Sequence, residues 1–177
     1  MLSEIEYFMI INKREYAAFY QTYIDLIDTS LSIERNMEDS FNELIGAFRM
    51  VPKEKRLLPY AENKWTLLQL IGHIIDTERI FTYRALRIAR NDTKDLAGFD
   101  QDNYVANSDY EARSFDSLIE EFINIIASRK FLFYNLSEEE LARIGSIDGH
   151  KMSVRAIGYI SAGHSYHHAH IIKERYL

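Results

Sequence analysis

Four of the six histidines in this 177-residue chain, His164, His167, His168 and His170, fall within seven residues near its end. Neutral imidazoles are ligands for divalent transition metals. Two histidines four apart on a helix lie one above the other on the same face, so both can reach a single ion, and a spacing of three also serves. His164 and His168 have the first spacing, while His164/His167 and His167/His170 have the second. The stripe Ile157, Ser161, His164, His168, Ile171 turns His164 and His168 inward, and the stripe Ile160, His164, His167, Ile171 competes with it. A third imidazole is on offer upstream. His73 sits among Leu70, Ile71 and Ile74 in the middle of an apolar helical pattern, where it reads either as a hydrogen-bonded core histidine or as a ligand reaching across a bundle. Three imidazoles with one or two open positions form a catalytic zinc-type centre. Asp76, about one turn after His73, is the candidate acceptor for fixing an imidazole tautomer.

Other chemistry is excluded by residue type. The chain has no cysteine, which removes disulfides, thiolate ligands and a cysteine nucleophile. Ser165 stands where a zincin helix carries its general-base glutamate. The acidic stretch from Asp92 to Asp102 lacks the alternating carboxylates of an EF-hand, and no glycine-rich phosphate loop occurs. A formal net charge of −6 argues against general nucleic-acid or anionic-membrane binding. No apolar run approaches ~18 residues, and the start, with Glu4 and Glu6, lacks the basic region of a secretory signal, so a cytoplasmic protein is expected.

The elements that must position these histidines are helices. The chain contains only 7 glycines and 2 prolines, and both prolines, Pro52 and Pro59, fall in the connection 51–63. Before it, Met37, Phe41, Leu44 and Phe48 mark one face of a helix over about 30–49, with Asp28, Thr29 and Ser30 as candidate caps. After it, a helix capped by Thr66 runs to about Ala89. Residues 91–111 read as a long polar loop, held to the body by Leu96, Phe99, Tyr104 and Val105 and expected to wall a pocket beside the ion with Phe99 and Tyr104. A third helix covers about 114–134, and Ser137 to Glu140 opens a short one. Residues 143–151 read as a tight turn or a short β-like excursion, and the last helix spans about 153–176. Four long amphipathic helices make an all-α four-helix bundle, a single domain over residues 1–177, with a tyrosine-rich N-terminal segment (Tyr7, Tyr16, Tyr20, Tyr23) packed across it.

Several motifs together resemble the DinB-like (DinB/YfiT-like) family. They are Lys64-Trp65-Thr66, the run Gly72-His73 to Ile80, Tyr83 to Arg90, Gly98 to Asp102, Ser153 to Ala156, Gly163-His164, His167-His168 and Ile171 to Tyr176, with Tyr20 to Leu26 similar to its N-terminal segment. The resemblance implies a four-helix bundle and a divalent metal, zinc or nickel, held by His73, His164 and His168. It thereby selects the i, i+4 pair on the last helix. It also implies metal-dependent chemistry, either hydrolysis or, as in the bacillithiol S-transferases and mycothiol-dependent maleylpyruvate isomerases, use of a low-molecular-weight thiol, and often a homodimer. The expectation drawn here is a metal-dependent S-transferase acting on a small molecule. The alternatives are a hydrolase and a non-catalytic metal- or ligand-binding bundle. A thiol would have to come from outside this cysteine-free chain, and no general base is assigned.

Overall fold

A computed structural model describes residues 11–177. Its frame is four long helices: α1 (Ile33–Met50), α2 (Leu67–Ala89), α3 (Phe115–Phe133) and α4 (Val154–Arg175). Each starts on a hydroxyl cap. Ser32 accepts from Arg35 N, Thr66 from Gln69 N, Ser114 from Ser117 N and Ser153 from Ala156 N, and Thr66 and Gln69 close a reciprocal capping box. The start of α1 departs from expectation. The carboxylate of Asp28 is taken by the backbone and hydroxyl of Ser30, and Asn36 ties down the carbonyls of Asp28, Leu31 and Ser32, so the helix begins only after Ser32.

The helices are not arranged in sequence order around the bundle. α4 packs against α1 and α2, and α3 packs against the same two, which places α1 opposite α2 and α3 opposite α4. The long connections after α1 and α3 make this possible. Its consequence is that α2 and α4 are neighbours, so His73 and the histidines of α4 can meet. Two apolar clusters fill the bundle, one around Met37, Ile88, Met152 and Ile157, the other around Leu44, Phe48, Ile71, Phe122 and Ile172. On α4 the residues between Ala162 and Ala169 belong to neither, and the histidines lie there.

The connections are more structured than their composition suggests. Within the expected loop 91–111, Leu96 forms an isolated parallel bridge with Ile147, Asp100 caps a short helix Gln101–Ala106, and a 3-10 turn covers Tyr110–Ala112. Leu96 and Val105 are buried, as expected of anchors, whereas Tyr104 is exposed. Residues 143–151 enter an antiparallel hairpin of β1 (Ile144–Ile147) and β2 (His150–Ser153). Asp148 and Gly149, with φ of 50° and 73°, form its two-residue turn, the positive-φ pair that matches the strand twist of a type I′ hairpin. The capping box at Ser137 and Glu140 opens the short helix Glu138–Ala142.

The N-terminal stretch crosses the bundle as the tyrosine pattern suggested. Tyr16 is buried and Tyr20 and Tyr23 pack against the core, while Tyr7, with Glu4 and Glu6, lies outside the described residues. Glu15 ties this stretch to α4 through Arg155 and Ser153. No helix among the described residues is long and apolar enough to cross a membrane.

Candidate metal centre

His73 on α2 and His164 and His168 on α4 are buried and converge. His164 Nε2 lies 3.2 Å from His73 Nε2 and 3.0 Å from His168 Nε2, and the three candidate ligand atoms all fall within 4.8 Å of one another. No Asp or Glu among the described residues joins this group. His167, the competing ligand, faces the Tyr23 ring at 5.6 Å and lies half-buried beside His168. His170 is half-exposed near Glu43, and His150 is exposed on the hairpin. The structure therefore brings together the i, i+4 pair, with His73 completing the set.

Burial sets the protonation state. Desolvation, followed by the nearby His167, lowers the His73 pKa to about 4. Full burial, then the neighbouring imidazoles, holds His164 and His168 well below the usual histidine value. All three are neutral at pH 7 and offer lone pairs. Hydrogen bonding alone leaves this cluster poorly satisfied, because His164 Nε2 has one in-plane lone pair or one proton, yet two nitrogens crowd it. The Nδ1 atoms of His164 and His168 are buried without a hydrogen-bond partner. Tetrahedral ligation at ~2.0–2.1 Å places nitrogens about 3.3 Å apart, close to the two separations seen here. A divalent ion would use all three Nε2 lone pairs, and a neutral nitrogen donor set suits divalent transition metals. The residues fit the metal that the resemblance implies.

Aromatic rings hold the imidazoles in place. Trp65, just before α2, lies tilted on His73 with ring centres 4.8 Å apart, and Tyr23 meets His164 edge-on at 5.5 Å, with Phe81 at 6.1 Å. Each helix carries a glycine before its first ligand, and both are needed for close approach. A Cβ on Gly72 would fall 2.2 Å from the ring of Tyr110, and one on Gly163 would fall 2.1 Å from the Tyr23 carbonyl oxygen. Asp76 accepts a hydrogen bond from the Tyr110 hydroxyl and lies 3.5 Å from Arg79. Among the described residues no hydrogen bond joins Asp76 to an imidazole. It acts on the ring packed over Gly72, one residue from His73.

A cleft of about 370 Å³ reaches the cluster at His168. Trp65, Tyr60, Ile171 and Tyr176 give it apolar walls, and Lys64, Gln101, Asp102 and His167 give it polar ones. The segment 91–111 does wall this cleft, but through Gln101 and Asp102. Phe99 instead lines a second cavity, and Tyr104 packs on Phe99 with ring centres 5.4 Å apart. The aromatic supports Trp65, Tyr23 and Tyr110 were not identifiable as such from the sequence. The glycine before each histidine was their one visible trace.

Comparison with known proteins places these observations in a family. A model of the DinB superfamily matches residues 36–172. Among solved structures, YfiT from Bacillus subtilis, described as a probable metal-dependent hydrolase with an unusual four-helix bundle topology, superposes with a TM-score of 0.70 at 15% identity, covering 93% of this chain and 91% of that one. A search of curated proteins found no match.

Proposed function

The chain belongs to the DinB superfamily, and from that premise we propose that it is a metal-dependent enzyme in which His73, His164 and His168 hold a zinc or nickel ion and which transfers a low-molecular-weight thiol to a small electrophile. The observation that carries this reading is the convergence of three buried, neutral imidazoles at the end of a cleft sized for a small molecule. When bound, such an ion would lower the pKa of a thiol or water at an open position and so supply a nucleophile near neutral pH.

The chain's own residues do the rest. Burial keeps the imidazoles unprotonated. Trp65 and Tyr23 restrict the orientations of His73 and His164. Asp76, through Tyr110, braces the turn of α2 that carries His73. The apolar faces of Trp65, Tyr60 and Tyr176 exclude water from one side of the cleft, while Lys64, Gln101 and Asp102 offer polar contacts to a hydrophilic co-substrate. Thiol transfer is preferred over hydrolysis because, among the described residues, no Asp or Glu joins the cluster of ligand atoms as a base for water. Hydrolysis is the second reading, favoured by the likeness to YfiT. The same proposal makes the partners a small-molecule substrate and a second copy of the chain, in the cytoplasm.

The test is a panel of thiols with a generic electrophile such as monochlorobimane, with and without added metal. Metal-dependent conjugation that disappears in His164→Ala supports transfer. Esterase or amidase turnover without thiol, lost in the same variant, shifts the assignment to the hydrolase. Metal binding with neither activity leaves a binding protein.

A further inference from the structure

Arg84 is buried, 3% exposed, on the turn of α2 that follows Phe81. Its guanidinium carries five N–H donors. One donates to the Ala97 carbonyl at 2.7 Å, and the Tyr20 hydroxyl is a hydrogen-bond partner. No carboxylate among the described residues comes within 4.0 Å of it. Asp148 acts on it only through space. Buried charges in proteins are normally paired, since an uncompensated one loses its hydration without return. The other buried arginine, Arg129, obeys this rule with Glu78 at 2.6 Å. Arg84 does not, and it lines a cavity of about 230 Å³.

The cavity lies at the hairpin end of the bundle. Phe19, Tyr20, Phe99, Ile147 and Met152 give it apolar walls. Phe99 sits under the guanidinium, 5.6 Å from ring centre to the Arg84 Cζ. Asp148 from the hairpin turn and His150 at the start of β2 also line it, and Phe19 packs edge-on against His150 at 5.5 Å. Along α2 the eleven residues from His73 to Arg84 correspond to a rise of about 16 Å, so this is not the histidine cleft.

We infer that this cavity is a second ligand site, and that it binds the carboxylate of a small organic acid with an aromatic or otherwise apolar body. Arg84 provides the bidentate fork that matches a carboxylate. The aromatic walls take the body. The volume, below the ~300–1,000 Å³ of drug-sized sites, limits the ligand to a compact acid. The Asp148 charge in the lining favours a monoanion over a phosphate dianion. The inference does not depend on the metal, because neither the cavity lining nor the unpaired charge involves His73, His164 or His168.

The experiment is titration of the full chain with sodium benzoate, its neutral isostere benzamide and inorganic phosphate, followed by calorimetry and by amide NMR shifts. Benzoate is expected to bind one to one and to shift resonances around Arg84, Phe99 and Met152, with benzamide and phosphate each weaker by at least about tenfold. Arg84→Gln should weaken benzoate by about tenfold or more while the metal content is unchanged. Phe19→Ala changes a largely exposed wall residue and so keeps the fold; it should weaken benzoate several-fold with little effect on acetate. Benzamide binding as well as benzoate, phosphate binding better than benzoate, benzoate binding unaltered in Phe19→Ala and Arg84→Gln, or no saturation at tens of millimolar would each overturn the site.

Discussion

The helices α2 and α4 carry two buried polar clusters side by side, and the two are built differently. Glu78 on α2 and Ser161 on α4 meet Arg129 from α3. Arg129 Nη1 donates to Glu78 at 2.6 Å and to the Ser161 hydroxyl, Ser161 donates to Glu78 at 2.7 Å, and Arg129 Nε is buried without a partner. Charge meets opposite charge, and both oxygens of the buried carboxylate have a donor. The histidine cluster begins five residues before Glu78 and three after Ser161. There, like groups face like groups, and two Nδ1 atoms are orphaned. A network that closes on itself belongs to the fold, whereas one whose lone pairs converge on a shared point is built for something not yet bound. Buried polarity alone does not mark a site, and the two clusters differ in whether the groups satisfy each other.

The largest expected effect falls on the closed network. Arg129→Met strips a buried carboxylate of its partner and should cost about 3–5 kcal/mol, read as the urea midpoint. Replacing both partners, Glu78→Leu with Arg129→Met, should recover most of that loss. In metal-free protein, His73→Gln should cost only ~1 kcal/mol, since the cluster is already unsatisfied. If Arg129→Met is tolerated as easily as His73→Gln, the two clusters are energetically alike and the contrast fails.

Metal reverses the ranking. His73→Ala or His168→Ala should abolish stoichiometric binding after chelator-free purification, while His167→Ala should retain it. Full metal content in the double variant His73→Ala, His168→Ala would remove the site. Chelation should leave the helical circular dichroism, because the two apolar clusters do not include the ligands, and should lower the melting temperature. The stabilisation lost is about 2.7 kcal/mol for an ion present at one hundred times its dissociation constant. Loss of helicity on chelation at room temperature would make the ion part of the fold.

Acid provides a third comparison. The folded His73 pKa is lowered from 6.5 to about 4. Between these values the unfolded chain takes up a proton that the folded chain refuses. The stabilising contribution is therefore complete above pH 6.5 and is lost as pH falls toward 4, amounting to roughly 3 kcal/mol for this one group. His164 and His168, lowered by the same burial, steepen the loss. Metal-free protein should show this slope in denaturant midpoints from pH 7 to pH 4, and His73→Gln should flatten it. An unchanged slope in His73→Gln would place the acid-sensitive groups elsewhere.

The two clusters also differed in how far they could be read beforehand. Histidines at i, i+4 announce a shared face by spacing alone, and Thr66, Ser114 and Ser137 announce helix starts, because both signals are local. Glu78 and Arg129 carry no local signal of burial, since their pairing depends on which helices become neighbours. That order, with α1 opposite α2, is set by packing across the whole bundle and leaves no local trace. The helix Gln101–Ala106 was hidden for a related reason. Its one buried residue is Val105, so it carries no apolar stripe. Ser32 lost out to Asp28, Thr29 and Ser30 as the expected cap because several hydroxyl and carboxylate residues crowd that turn, and only the asparagine clamp of Asn36 decides among them.

The smallest expected effect tests how far support for the open cluster extends. Asp76 touches no imidazole; it holds the Tyr110 hydroxyl, and the Tyr110 ring lies over Gly72 beside His73. Asp76→Asn keeps an oxygen that accepts from Tyr110 and gives up only a half-exposed contact with Arg79, of a kind worth ~0.2–1 kcal/mol. Its metal affinity should change by less than about threefold. Asp76→Ala removes the acceptor, frees the ring and should weaken the metal by about tenfold, the lower end of what loss of an outer support costs. Gly72→Ala, which drives a Cβ into the same ring, should match or exceed it. If Asp76→Asn alone weakens the metal tenfold, the carboxylate bears on an imidazole directly when the ion is present, and support for the cluster is electrostatic. If all three variants bind metal as the parent does, Tyr110 is a packing residue only, and His73 is positioned by Trp65 and the helix.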